Sequence, residues 1–223
     1  MKPTNKYLAI LTTLLSLFSA SSFAATECLF QDTINIDLKF QNQSITLDSS
    51  SWVIPTDNFT PVAELFSASP TSSVRSTCNS GQDGQLLTGN DEFGEDLNNY
   101  FIDDSGYQYL LYGTTTKGLY YGVRIQNAVC TELAGFIPPD RSFTQIARDV
   151  GDEQEKHCMK NDEDWLFAIR FFIDKEFKKP GTEATFNSSI NGSHGSFRLS
   201  GSAGDVDDRR VTVKIVQING ILK

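Results

Sequence analysis

The most regular signal along the chain is an alternation of period two. From Thr33 to Phe40, apolar Ile34, Ile36, Leu38 and Phe40 are separated by polar Asn35, Asp37 and Lys39, the pattern of a strand with one buried face. After a turn at Asn42, Ser44 to Leu47 alternates again. In a third run Leu119, Tyr121, Val123 and Ile125 alternate with Tyr120, Gly122 and Arg124. The most apolar stretch is Trp165 to Ile173. Trp165, Phe167, Ile169, Phe171 and Ile173 share one pleat face, and Leu166, Ala168, Arg170 and Phe172 share the other, which predicts a central core strand. Gly195 to Gly201, carrying Phe197 and Leu199, and Val211 to Val216 complete the set.

No comparable window sustains a period of 3.6. Ile146, Ala147 and Val150 predict a short helix over Thr144–Val150, and a second is expected over Glu92–Tyr100. Short alternating strands divided by Gly, Pro, Asn and Ser predict an all-β fold. The expected architecture is a disulfide-bonded antiparallel β-sandwich, immunoglobulin-like or jelly-roll-like, with one or two short helices.

The N-terminus reads differently. Lys2 and Lys6 precede an apolar run from Tyr7 to Phe18, followed by small residues that end in Ser22-Phe23-Ala24. This is the pattern of a secretory signal peptide over 1–24, too short to span a bilayer. Residues 25–223 are then expected to form a single exported domain, with no membrane span in the mature chain. Removing the leader changes the formal charge from -9 to -11, because 17 basic residues remain against 28 acidic ones. A surface built to neutralise nucleic acid needs clustered Lys and Arg, so this balance excludes nucleic acid as the main partner. Two His leave little material for a His-ligated metal centre or a His-based triad.

Export also changes how the cysteines read. Cys28, Cys78, Cys130 and Cys158 lack paired C-x-x-C spacing, and an even count in an oxidising compartment points to disulfides. Three pairings are possible. Cys28 with Cys78 and Cys130 with Cys158 is the preferred one, since sequential loops close without crossing the two halves of the domain.

Catalytic patterns are sparse. Gly192-Ser-His-Gly-Ser196 lacks the G-x-S-x-G elbow and reads as a glycine-rich hairpin loop. His157 beside Cys158 would form a dyad only with a free thiol. The acidic segments around Asp91, Asp103, Asp152, Asp162 and Asp205 match no calcium loop, and solvated loops are their default reading. No metal, no cofactor and no enzymatic activity are expected. Loop Asp and Asn beside aromatic residues suit sugar hydroxyls and the apolar face of a sugar ring, which makes Trp52, Asp57, Asn58, Asp103, Asp104 and Tyr107 the candidate ligand-binding residues. Sequons at Asn42, Asn58, Asn187 and Asn191 would be glycan acceptors in a eukaryotic secreted protein.

Two stretches carry a family resemblance. Tyr112-Gly-Thr-Thr-Thr-Lys-Gly-Leu-Tyr-Tyr-Gly-Val-Arg-Ile125 resembles a strand of bacterial fimbrial subunits and tip adhesins assembled by the chaperone-usher pathway. Phe167-Ala-Ile-Arg-Phe-Phe-Ile-Asp174, Pro180-Gly181, Gly195-Ser-Phe-Arg-Leu199 and Val211 to Ile221 look like the last strands of an adhesin's receptor-binding domain. The resemblance implies a lectin-like module that binds a glycan or other host surface receptor for cell attachment. It also implies passage through the periplasm, with a fimbrial chaperone and fimbrial subunits as partners, to a fimbrium on the cell surface.

Only Ala25, Thr26 and Glu27 precede Cys28 in the mature chain, too short for the donor strand of a pilin. The second, pilin-type domain of a two-domain adhesin would begin where this sequence ends, so either a shortened gene or attachment by another route is expected. The alternatives are a minor fimbrial structural subunit that caps or initiates a fibre and, less favoured, a secreted glycoside hydrolase using paired carboxylates.

Overall fold

The computed structural model describes residues 28–38, 45–66, 74–78, 86–92, 99–104, 106–131, 133–148, 163–190, 192–200, 209–215 and 217–223. Seventeen strands follow one another: β1 (Cys28–Phe30), β2 (Ile34–Leu38), β3 (Ile45–Leu47), β4 (Thr60–Phe66), β5 (Arg75–Cys78), β6 (Leu86–Asp91), β7 (Tyr100–Ile102), β8 (Gln108–Leu110), β9 (Tyr112–Gly113), β10 (Leu119–Asn127), β11 (Ala134–Phe136), β12 (Thr144–Arg148), β13 (Glu163–Ile173), β14 (Ala184–Asn187), β15 (Gly192–Ser200), β16 (Val211–Ile215) and β17 (Asn219–Leu222). The fold is all-β, without helix among the described residues.

The expected central strand is the axis of the largest sheet. β13 pairs with β10 along one edge, from Trp165–Asn127 to Ile173–Leu119. Along its other edge it pairs with β4 and then β5. Beyond β10 lie β9 and β11, and beyond β5 lies β1. A second sheet runs β12-β6-β15-β16-β2, and a three-stranded sheet runs β14-β17-β3. These sheets close on the first through Phe167 against Phe197, 6.5 Å between ring centres, and Phe171 against Phe186, 5.6 Å. The β-branched and aromatic alternation of β13 puts Trp165, Phe167, Ile169, Phe171 and Ile173 into this core, all at most 2% exposed.

Two pairings are parallel, against the antiparallel expectation: β2 lies beside β16 and β3 beside β17. The two earliest of these strands thus flank the two last, a pairing that needs a long connection.

The expected helix over Thr144–Val150 is a correction. Residues Thr144–Arg148 form β12, antiparallel to β6, with a bulge between Gln145 and Ala147. The bulge inserts an extra residue, so neighbouring Ile146 and Ala147 are both buried. That adjacency imitates a helical face in the sequence. Most of Glu92–Tyr100, where the other helix was expected, lies outside the described residues, as do 1–24, His157 and Cys158. Gly192–Ser196 is likewise no hairpin loop. It opens β15, bulged between Ser193 and Gly195, and carries His194 into the interior.

Cys28 and Cys78 stand directly opposite each other in the β1–β5 register. No described cysteine is free.

Candidate functional site

The register of the large sheet places three distant turns together. Leu119 opposes Ile173, and Ile173 opposes Thr60. The turn before β10, the turn after β13 and the loop before β4 therefore meet at one end of the sandwich, its pole. Between the first two lies an open depression of about 500 Å³ lined by Thr116, Lys117, Lys175, Glu176 and Lys178.

The floor of this depression is tightly built. Gly118 has φ +77°, a left-handed conformation that favours glycine, and a Cβ there would overlap the backbone of Phe177. Asp174 N–H donates to the Gly118 carbonyl at 3.1 Å, and Phe177 N–H donates to the Asp174 carbonyl at 3.1 Å. The Asp174 carboxylate accepts from Glu176 N–H at 2.8 Å and from the Tyr120 hydroxyl at 3.2 Å. Burial, together with Asp174 beside it, pushes the Tyr120 phenol up to about 12, so it is a donor at neutral pH. Above this floor Lys117 pairs with Glu176 at 3.0 Å.

Three of the six expected ligand residues come to this pole. Trp52 is buried and lies 5.4 Å from the Phe177 ring, so its faces support the turn from beneath. Lys179 reaches back from the same turn to the Ser50 carbonyl at 2.8 Å. Asp57 accepts from the Thr56 hydroxyl at 3.3 Å. Asn58 holds φ +47°, which Asn tolerates better than most residues. The following Phe59 packs edge-on against Tyr120 at 5.0 Å. Val53, 79% exposed, and Ile54 present apolar surface on the same loop.

Asp103, Asp104 and Tyr107 belong elsewhere, to the turn of the β7–β8 hairpin. Asp103 accepts from Tyr107 N–H at 3.0 Å and makes a short bond with the Tyr109 hydroxyl. Tyr107 accepts from Gln145 at 3.2 Å. This hairpin lies over the outer face of the large sheet, where Phe101 meets Phe172 and Tyr109 meets Phe136. Beside it Glu64 bridges Arg124 at 3.2 Å and Arg170 at 2.9 Å. Burial draws Arg124 below its ordinary value, and Glu64 opposes that shift.

The interior holds a third polar group. The fully buried His194 ring donates from Nδ1 to the Gly192 carbonyl at 2.9 Å, and its Nε2 accepts from the Tyr121 hydroxyl at 2.8 Å. Tyr112 donates to the His194 carbonyl at 3.0 Å. Burial lowers the His194 pKa to about 4, and each ring nitrogen is satisfied in the neutral form. Nearby Glu92 accepts from Ser193 at 2.9 Å and makes a short bond with Ser196. This is packing chemistry: the two ring nitrogens and the hydroxyls are consumed by internal partners. No group of three metal-ligating side chains occurs among the described residues.

None of the residues lining the depression at the pole is among the six expected ligand residues. Its signal was Lys175-Glu-Phe-Lys-Lys179, a basic run in an acidic chain, and what hid it was the distance along the chain to Thr116 and Lys117.

No family model matches this sequence, and no curated protein matches it. Fimbrial adhesins are among the solved structures that align with most of the chain. The adhesin AtfE of Proteus mirabilis ambient-temperature fimbriae is 13% identical, with a TM-score of 0.41, covering 86% of this chain and 97% of its own. The CupB6 tip adhesin of Pseudomonas aeruginosa is 13% identical with a TM-score of 0.35, covering 83% of this chain and 45% of its own. The CFA/I adhesin CfaE of enterotoxigenic E. coli is 11% identical with a TM-score of 0.29, covering 86% of this chain and 48% of its own. The chain spans about half the length of the latter two.

Proposed function

We propose that this chain is the receptor-binding module of an exported, fimbrial-type adhesin, and that it recognises a glycan without catalysis at the pole of its sandwich. The observation that carries this reading is an open, polar-rimmed depression between two turns, on a tightly built floor, at the pole where a third loop also arrives. Asp57 and Asn58 supply groups for sugar hydroxyls, and Val53 and Ile54 supply apolar surface for a ring face. Affinity for one sugar is modest, so attachment draws on many copies. In this reading residues 1–24 direct export, 25–223 form the module, and the finished protein resides on the cell surface.

The proposed bridges join Cys28 to Cys78 and Cys130 to Cys158. Directly opposed antiparallel residues sit with Cα atoms about 4.5 to 5.5 Å apart, within the roughly 4.4 to 6.8 Å that a disulfide spans. The register of Cys28 with Cys78 therefore suits the first bridge.

The structural-subunit alternative predicts an open lane beside a terminal strand. Here β2 and β3 flank β16 and β17, which favours a self-sufficient module. Co-expression with a periplasmic fimbrial chaperone separates the two, because a stable complex would return the chain to the structural class.

Binding of the full chain to a glycan panel tests the main reading. Asn58→Gly, which keeps the left-handed backbone but removes the amide, and Asp57→Ala are expected to weaken binding. Tyr107→Ala is expected to leave it intact. The reverse pattern moves the site to the β7–β8 turn, and a folded protein that ignores every glycan defeats the proposal.

A further inference from the structure

Lysine is unevenly placed on this molecule. Of the nine lysines after residue 24, Lys117, Lys175, Lys178 and Lys179 occupy the two turns of the pole. Three carboxylates share the pole with them, Asp174 and Glu176 on these turns and Asp57 on the loop before β4; Asp174 is committed to Tyr120 and to Glu176 N–H, and Glu183 farther along the connection pairs with Lys223. The pole is therefore locally positive on a chain whose formal charge is -9. Lys175 and Lys178 make no ion pair with any described carboxylate, and both are exposed beside the depression. Such an arrangement raises the local concentration of anions against the field of the whole protein.

We propose that the pole takes an acidic oligosaccharide, whose carboxylate or sulfate lies between Lys175 and Lys178 while Lys117 leaves Glu176 to join them. This rests on the reading of the chain as a glycan-binding module and names the class of glycan. Lysine ammonium groups are compact, rotatable donors that receive a carboxylate or sulfate at the mouth of an open depression without the fixed fork of arginine. Thr116 at the rim, with Asp57 and Asn58 on the neighbouring loop of the pole, offers hydrogen-bond partners to the sugar hydroxyls, which a bare inorganic anion lacks. Glu176 is the specificity element. Its carboxylate competes with the ligand for Lys117 at 3.0 Å, so the bound anion must displace it, and neutral sugars gain nothing from the exchange.

The test is titration of the full chain with sialyllactose, a heparin hexasaccharide and lactose. At least one acidic probe is expected to bind about tenfold or more tightly than lactose, since hydrogen bonds to charged groups are worth more than neutral ones. That binding should weaken as salt is added. The double variant Lys175→Gln/Lys178→Gln is expected to lower acidic-probe affinity about tenfold, and Glu176→Gln to raise it about threefold. Melting curves check that both variants fold. Sialyllactose binding shows that a single carboxylate suffices, whereas binding of heparin alone, which carries both groups, shows that sulfate or its higher charge density is required. Equal affinity for acidic and neutral probes, or an acidic affinity indifferent to the lysine variant, overturns the inference while the glycan-binding reading stands. Absence of binding to all three probes, and to the wider glycan panel, removes both.

Discussion

The two faces of β13 alternate residue by residue, yet they meet different fates. On the inner face Trp165, Phe167, Ile169, Phe171 and Ile173 are all buried against the opposing sheets. On the outer face burial is uneven: Leu166 is 42% exposed and Arg170 half-buried, whereas Ala168 and Phe172 are buried. The β7–β8 hairpin covers Phe172 with Phe101, whereas Leu166 at the other end of the face is exposed. A single strand thus serves a continuous core on one side. On the other it serves a small aromatic cluster of Tyr109, Leu111, Phe136 and Phe172. The inner face is closed by whole sheets that cannot shift independently, whereas the outer cluster is closed by two short strands that can.

That difference has measurable consequences. Phe171→Ala removes a ring wedged against Phe186 between sheets unable to collapse, and is expected to cost about 3 to 5 kcal/mol in denaturant unfolding. A cost near zero would mean that the inner face is as yielding as the outer. The core also contains the neutral His194. Its unfolded pKa of 6.5 drops to about 4 on folding, so the unfolded chain binds the proton more readily. Stability is then complete above pH 6.5 and is lost as pH falls from there toward 4, by about 3 kcal/mol in total. Subtracting the pH profile of His194→Gln from that of the wild type isolates this contribution. A flat difference between the two profiles would refute it.

On the outer face the expected effects are smaller. Phe172→Ala empties a site that the hairpin can partly refill, so a loss of about 2 kcal/mol is expected, clearly below that of Phe171→Ala. Equal losses would erase the distinction between the faces.

The same comparison shows what could be read in the sequence. Inner-face alternation is legible because a buried strand has one requirement at every second residue, and the strands around Ile36, Val123, Phe167, Phe197 and Val213 were all evident. The outer face is opaque, since Arg170 and Phe172 read alike as residues turned away from the core until Phe101 is known to lie over one of them. Bulges defeat period counting locally, as Ile146 with Ala147 and His194 with Gly195 show. The pole was half legible. Trp52, Asp57 and Asn58 stand out in the sequence by residue type, but only the register of Leu119, Ile173 and Thr60 brings Lys117, Lys175 and Lys178 to the same pole. Pairing over such separations is a tertiary fact with no local pattern to signal it.

The smallest effect separates the outer face from the pole. Glu64 is 22% exposed between Arg124 and Arg170, whereas Glu176 is 47% exposed beside a Lys117 that is 75% exposed. Water screens the second pair almost completely, and holding two long side chains together costs entropy, so an exposed pair contributes only about 0 to 1 kcal/mol. Glu64→Gln leaves two guanidinium groups facing each other in partial burial and is expected to cost about 1 to 2 kcal/mol. Glu176→Gln is expected to shift stability by less than about 0.5 kcal/mol. A loss at Glu176 as large as that at Glu64 would mean that the Lys117 pair braces the turn. If Glu176 instead proves dispensable for folding, its carboxylate is free to act on what enters the depression.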